Sequence, residues 1–429
     1  MWSRRRFLGL GALTAGAAAT VECAPMRPSD NDDSVPASIA ALAPFPEKPA
    51  PISVDERRAR IDKARRLMTE LGIDALLMTG GTSLVYFTGV RWGLSERLFA
   101  VTIPREGRPF VVTPAFEEDR TREQLANGPF AGDADVLPWQ EDESPYRLFA
   151  NGLQARGITT GTVGVEETVR HVFHDGIAQA APALTLTSGT PVTAGCRTRK
   201  DAHELELMRI ASAVTLTAYE AVYHAIEEGM TSDDVRALVS TAHRRLGYTG
   251  GAMVLVDAAS ALPHGTVKPQ VVREGSIVLI DGGCGVEGYR SDISRTFAFG
   301  EPSDKMKKVF EIEFRAQTAA LEAARPGVPC EAVDAAARKV IDAAGYGPDY
   351  AYFTHRVGHG IGMDGHEWPY LVRGNTLPLA PGMTFSDEPG IYLSGEFGVR
   401  LEDELVISED GAYLLTPQSP SLTDPFPRA

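Results

Sequence analysis

The stretch from Val278 to Phe297, VLIDGGCGVEGYRSDISRTF, decides how this chain is read. Its apolar start, Val278, Leu279 and Ile280, has the character of a buried strand that ends in Asp281. A glycine-rich turn follows, and a second strand then carries Asp292. The two aspartates stand eleven positions apart, enough for a hairpin that brings them to face each other across one ladder. Two carboxylates at the mouth of one sheet repel, and a hard divalent cation between them removes the repulsion. A plain hairpin with two solvated aspartates would spell the same string, so the hairpin alone leaves both readings open.

Three later stations decide between them. HRVGHGIGMDGHEWP holds His355, His359 and His366, FSDEPGIY holds Glu388, and VRLEDEL holds Glu402. Each lies beside glycine or proline turn signals or at the end of an apolar strand, where a side chain is fixed yet reaches a cleft. Asp281, Asp292, His359, Glu388 and Glu402 together offer four carboxylates and one imidazole, a charge match for two dications. A single tetrahedral zinc would call for fewer oxygens and more nitrogen or thiolate.

This set, with these neighbours, resembles the pita-bread metallopeptidases: methionine aminopeptidase, aminopeptidase P and prolidase. The resemblance covers residues 197–416 closely and the preceding domain more loosely. Creatinase shares that fold but works without metal and lacks the set, so a peptidase is the better match. The resemblance implies two divalent metal ions, manganese ahead of cobalt, zinc or iron. Asp292 and Glu402 would bridge them, Asp281 would chelate one, and His359 with Glu388 would complete the other. Glu388 is then the base that takes a proton from water.

The resemblance also implies roles around the metals. His264 stands 17 residues before Asp281, and His355, His366 and Arg400 fall at family offsets from His359 and Glu402. His264 and His366 would donate to the carbonyl oxyanion or the leaving amine, and His355 would line a proline pocket with aromatic help from Trp368, Tyr370 and Tyr392. Arg400 would orient the carboxylates, with a plain structural ion pair as the alternative. Arg91, in a loop after YFTG, could meet a peptide carboxylate or belong to an ordinary surface loop. Asp387 stands beside Glu388 where relatives usually carry an uncharged residue; pointing away from the metals and raising their affinity both stay open. The implied activity is hydrolysis of Xaa-Pro bonds in di- or oligopeptides, dipeptidase slightly ahead of aminopeptidase, and a homodimer is allowed. A hydrolase of another amide or ester, or a binding module without activity, are the alternatives.

The rest of the chain frames this site. Ser3-Arg4-Arg5-Arg6-Phe7-Leu8 fits a twin-arginine export signal, followed by a short apolar run with small residues at Ala17 and Ala19, so residues 1–24 are expected to be a signal peptide and the protein periplasmic or secreted. Lipid attachment at Cys23 is disfavoured by the neighbouring Glu22. Cleavage after Ala19 would remove three arginines from a net charge of −15 and leave −18. Residues 25–53, rich in Pro, Ala, Ser and Asp, read as a linker. From Val54 to Gly195 strand and helix patterns alternate, giving an α/β domain like the N-terminal domain of creatinase, prolidase and aminopeptidase P; methionine aminopeptidase lacks it. Residues 197–429 form an α+β pita-bread catalytic domain in which two successive helix-helix-strand halves suggest a duplication. The acidic balance argues against a nucleic-acid partner, no run of the chain is a membrane span, and four cysteines without CxxC spacing suggest neither a disulfide framework nor a zinc site.

Overall fold

The computed structural model describes residues 35–426. The expected signal peptide lies outside the described residues, and among those described no helix is long and apolar enough to cross a membrane. Cys196, Cys284 and Cys330 are buried and unpaired.

The first domain begins with the helix Val54–Leu71, whose Ile61, Ala64 and Met68 are buried and which stops at Gly72, a left-handed residue at φ 66 that accommodates the reversal without a Cβ clash. Six strands follow in one mixed sheet, with Ala75–Met78 paired antiparallel to Ala100–Pro104 and parallel to Gly161–Val165. Alternate residues of these strands face two different cores. Leu76, Met78, Val101 and Ile103 pack in one, while Ala75, Leu77, Ala100 and Val112 pack in the other, so helices cover both faces.

The second domain sets long helices, Ala202–Tyr223, Ser232–Arg245, Asp304–Ala323 and Cys330–Ala343, against two larger antiparallel sheets and a two-stranded one, Gly390–Leu393 with Phe397–Arg400. Thr231 caps the second of these with Asp234 in a reciprocal capping box. One sheet runs Ile293–Ala298, Ile277–Val286, Gly250–Val256; the other runs Glu367–Leu371, Gly358–Gly360, Thr384–Asp387, Asp403–Ile407, Ala412–Leu414. A bridge between Ser294 and Glu402 ties the two sheets together at the site.

Two sequence expectations need correction. The strand does not end at Asp281 but continues through the glycines to Val286, and Asp281 pairs with Ser294, while Asp292 lies just ahead of the returning strand. The glycines allow close approach instead of making the turn: a Cβ on Gly283 would sit 2.1 Å from the Ser291 carbonyl oxygen. The stretch read as a linker is not loose beyond Pro36. It forms a short helix, Ala37–Ala40, with Ile39 fully buried, Ser38 Oγ donating to the Ala221 carbonyl at 2.8 Å, and the Phe45 N–H donating to the Leu246 carbonyl at 2.9 Å. Its few apolar anchors are spaced irregularly among prolines and alanines, so no periodicity marks them.

The joint between the sheets depends on Arg295, a guanidinium with no solvent exposure. It pairs with Asp403 at 2.7 Å and donates to the carbonyl oxygens of Glu402 (2.9 Å) and Pro417 (2.9 Å). Removing one partner of such a buried pair strands the other charge. Arg295→Met is expected to lose about 3–5 kcal/mol of stability, read as a lower denaturant midpoint in urea; a midpoint unchanged from the parent would show that the pair does not hold the sheets together.

Candidate active site

All five expected metal ligands converge on one cavity of about 610 Å³, together with His264, His355, His366 and Arg400. Three overlapping groups bring one donor atom from each member within 4.8 Å of the others: Asp281, Asp292 and Glu402; His359, Glu388 and Glu402; and Asp292, His359 and His366. Asp292, His359 and Glu402 each belong to two groups, and of these the two carboxylates have a second oxygen with which to be shared between two cations.

Each donor is fixed by its neighbours. His359 is buried, with Nδ1 directed at the Gly360 carbonyl oxygen (3.1 Å), which leaves Nε2 facing Glu388 Oε1 at 3.1 Å. Ser386 Oγ accepts from the His359 N–H (3.0 Å) and donates to Glu388 Oε1 (3.0 Å). Ser294 Oγ donates to Glu402 Oε2 at 2.6 Å. The Asp292 N–H donates to Glu404 Oε1 at 2.8 Å. Arg400, buried, pairs with Asp281 and donates to Ser294 Oγ (3.0 Å), to the Tyr392 hydroxyl (3.1 Å) and to the Pro263 carbonyl (3.3 Å). Arg400 thus makes an ion pair with one of the expected ligands, Asp281.

The electrostatics expose the crowding. Burial, then Asp281, pushes the Asp292 carboxyl up to about 8. Burial, then Asp292 and Glu388, also raises Glu402 far above the usual carboxylate range. Burial would raise Glu388 too, but its hydrogen bond to His359 and the positive groups around it hold it well below. Burial opposes a charged His359, yet Glu388 and Asp292 lift its pKa. Carboxylates brought this close, with the pKa of two of them driven up, are the donor set a divalent cation completes.

The remaining histidines take distinct places. The His366 ring stacks on His359 at 3.6 Å between centroids, and burial followed by that neighbour pushes its pKa down to about 4. His355 Nε2 meets the Tyr392 hydroxyl at 2.7 Å, and burial lowers its pKa. His264 stands on an exposed loop at the cavity rim. Tyr392 is thus bound between His355 and Arg400, while Trp368 is 46% exposed and Tyr370 lies under the Arg356 guanidinium at 3.9 Å; none of these three expected aromatics lines the cavity.

Some of the sequence reading falls elsewhere. Arg91 is exposed in the loop after the helix Thr82–Thr88, with its backbone N–H donated to Gln124, and does not line the cavity of its own chain. Asp387 points away from it: its carboxyl is fully buried without a hydrogen-bond partner, and burial, with Asp403 and Glu313 nearby, raises its pKa. Four residues that line the cavity or secure it went unremarked in the sequence, namely Arg356, Tyr350, Ser294 and Glu404. Ser294 could have been found two residues past Asp292 on the same strand face, and Arg356 beside His355.

Comparison with known proteins agrees with this geometry. Residues 206–409 match the model for metallopeptidase family M24, and residues 60–199 match the creatinase/prolidase N-terminal domain. An Xaa-Pro dipeptidase of Lactobacillus helveticus is 34% identical over 360 residues, covering 82% of this chain and 95% of that one. The chain belongs to metallopeptidase family M24. Among solved structures, dipeptidase PepE of Mycobacterium ulcerans superposes with a TM-score of 0.81 at 34% identity, covering 87% of this chain and 99% of that one. An X-Pro aminopeptidase of Thermotoga maritima superposes with 0.70 at 30% identity, over 83% and 99%. This M24 chain thus carries the pita-bread catalytic domain behind a creatinase-type N-terminal domain, and it is a metallopeptidase.

Protons held on Asp292 and Glu402 must leave before a cation can bind. As pH rises from the ordinary 3.8 of an aspartate toward 8, ionising Asp292 costs the metal-free fold stability, and cation binding removes that cost. Cation affinity is therefore expected to rise from about pH 6 to about pH 8, with protons released on binding. Titration calorimetry in buffers of different ionisation enthalpy measures both; an affinity independent of pH would contradict the crowding. Asp292→Ala, which empties a place in two of the three groups, should lower the metal count per chain.

Proposed function

We propose that this metallopeptidase is an exopeptidase that hydrolyses dipeptides with proline after the scissile bond, and that it binds two divalent cations, manganese favoured by the oxygen-rich donors. The observation that carries the substrate reading is Arg356. Its guanidinium lines the cavity, is held over the Tyr370 ring at 3.9 Å, and approaches His366 Nδ1 at 3.4 Å. Among the described residues no carboxylate pairs with it, whereas Arg400 is committed to Asp281. A cation so placed in a cavity of acids and histidines is matched by the one anionic group every free peptide has, its terminal carboxylate. When that carboxylate is only one residue beyond the scissile bond, the substrate is a dipeptide.

Bound to the five donors, the cations would supply Lewis-acid polarisation of the scissile carbonyl and acidify the attacking water. The chain's own residues do the rest. Glu388, kept ionised by His359, is the base that accepts the water's proton. His366, neutral at physiological pH because burial depresses its pKa to about 4, presents its ring next to His359 where the peptide lies. His264 on the rim loop is the second histidine available to the oxyanion or the leaving nitrogen. Proline has no N–H for strand-like recognition and a fixed φ, so it must be met by shape; Tyr350, Val372 and His355 give the cavity walls for that.

The metal-loaded enzyme should hydrolyse Ala-Pro in preference to Ala-Pro-Ala and to Ala-Pro amide. Arg356→Ala should lose about ten-fold to a hundred-fold in kcat/KM for Ala-Pro, mostly in KM, and little for the amide, since a charged pair contributes roughly 1.5–3 kcal/mol. Equal loss on both substrates would remove Arg356 from carboxylate recognition, preference for the tripeptide would make the enzyme an aminopeptidase, and no cleavage of any of the three would point to another amide or ester.

We further propose export by the twin-arginine route to the periplasm or beyond, supported by Ser3-Arg4-Arg5-Arg6-Phe7-Leu8 and the apolar run behind it. Replacing Arg4 and Arg5 by lysine should retain the protein in the cytoplasm on cell fractionation; unimpaired export of that variant would refute the route.

A further inference from the structure

His366 closes the loop Gly362–His366, which has neither helix nor strand and includes two glycines. Its ring stacks on His359 and is otherwise approached by Arg356 at 3.4 Å, so the position of the imidazole is set by the backbone that carries it. That backbone is fastened from outside its own domain, because the helix Thr190–Arg197, with Val192 and Cys196 in the N-terminal core, carries that domain past the Gly195 expected from sequence. Arg197, the last residue of the helix Thr190–Arg197, puts Nη2 on Asp364 Oδ2 at 2.6 Å and on Glu367 Oε2, two residues before His366 and one after it. Lys200 Nζ holds the other Glu367 oxygen at 2.6 Å. Thr82, the first residue of the helix Thr82–Thr88, donates to Asp364 Oδ1, and Met363 packs against the apolar core of the N-terminal domain. The Arg290 N–H donates to the Gly362 carbonyl at 2.8 Å from the opposite side. Two cations face two carboxylates; Arg197, Lys200 and Glu367 are buried, so solvent screens the pairs on Glu367 little, while Asp364 is 40% exposed and is held by Arg197 and Thr82 together.

We propose that Asp364, gripped by Arg197 and Thr82, is a positioning residue for His366, and that the N-terminal domain thereby acts as a clamp on the active site of the domain that follows it. The inference rests on the reading above that His366 takes part in turnover. A clamp holds the imidazole within the few tenths of an ångström that proton handling requires, and its loss lets the ring swing without emptying the substrate site.

A double-mutant cycle on the metal-loaded full chain tests this, with Ala-Pro as substrate and Asp364→Ala and Thr82→Val made alone and with His366→Ala. Asp364→Ala should lower kcat by about ten-fold or more with KM and metal content within about two-fold of the parent. It should add nothing further in the His366→Ala enzyme. Asp364→Asn, whose amide oxygen still accepts from Arg197 while its Nδ2 donates to the Thr82 hydroxyl oxygen, should retain most of the activity, and amide hydrogen exchange across residues 362–367 should quicken in Asp364→Ala but not in Asp364→Asn. An equal loss in both backgrounds, or a kcat unchanged by Asp364→Ala while His366→Ala is impaired, would overturn the clamp. Normal turnover by His366→Ala would instead overturn the role of His366, and the clamp with it.

Discussion

Four carboxylates facing one cavity repel one another, and much of the surrounding architecture answers that repulsion. Asp281, Asp292, Glu388 and Glu402 come from both sheets of the second domain, and no single strand could gather them. Without compensation the sheets would separate at the point where they must meet. Arg400 offsets Asp281, His359 offsets Glu388, and Ser294 saturates one oxygen of Glu402. What these contacts leave over is visible in Asp292 and Glu402, whose raised pKa values are the remaining sign of an uncompensated charge.

The two arginines at this joint have different tasks because their surroundings differ. Arg295 faces away from the cavity, fully buried, and spends its donors on Asp403 and on three backbone carbonyls, so it fastens strand to strand. Arg400 lines the cavity and spends its donors on the side chains of Asp281, Ser294 and Tyr392. Since Tyr392 in turn holds His355, one guanidinium links a metal ligand from the first half of the domain to a cavity-lining histidine from the second. Stability and the geometry of the site are served by separate cations on neighbouring strands.

Much of this could be read from the sequence because it is carried by residue identity or by local pattern. The five ligands declare themselves by type and order, and helix boundaries such as Gly72 and the Thr231–Asp234 cap depend on residues only three or four apart. What escaped depends on pairing over long separations. Nothing near Arg295 announces Asp403, and nothing near Ser294 announces Glu402, each more than a hundred residues away. The misplaced end of the Asp281 strand has the same origin, because glycines that usually mark a turn are here demanded by the close passage of Ser291. Irregular apolar anchors likewise hid the docking of Ile39 and Phe45.

The segment around His359 shows why a second domain is useful to this chemistry. Strands must cross very closely there: a Cβ on Gly358 would sit 1.9 Å from the Ser386 carbonyl oxygen, and one on Gly360 would sit 2.5 Å from that of Glu367. Glycine is therefore required on both sides of the ligating histidine, and every glycine adds to the conformational freedom that folding must remove. His359 itself is secured by burial and by Ser386, but the loop beyond it has too few apolar side chains to secure itself. Contacts have to come from elsewhere, and the nearest rigid surface is the N-terminal domain, through Arg197, Thr82 and the core that receives Met363. A domain with no ligand of its own in the cavity thus acquires a physical reason to be attached: it provides the order that a glycine-rich active-site segment cannot generate from its own sequence.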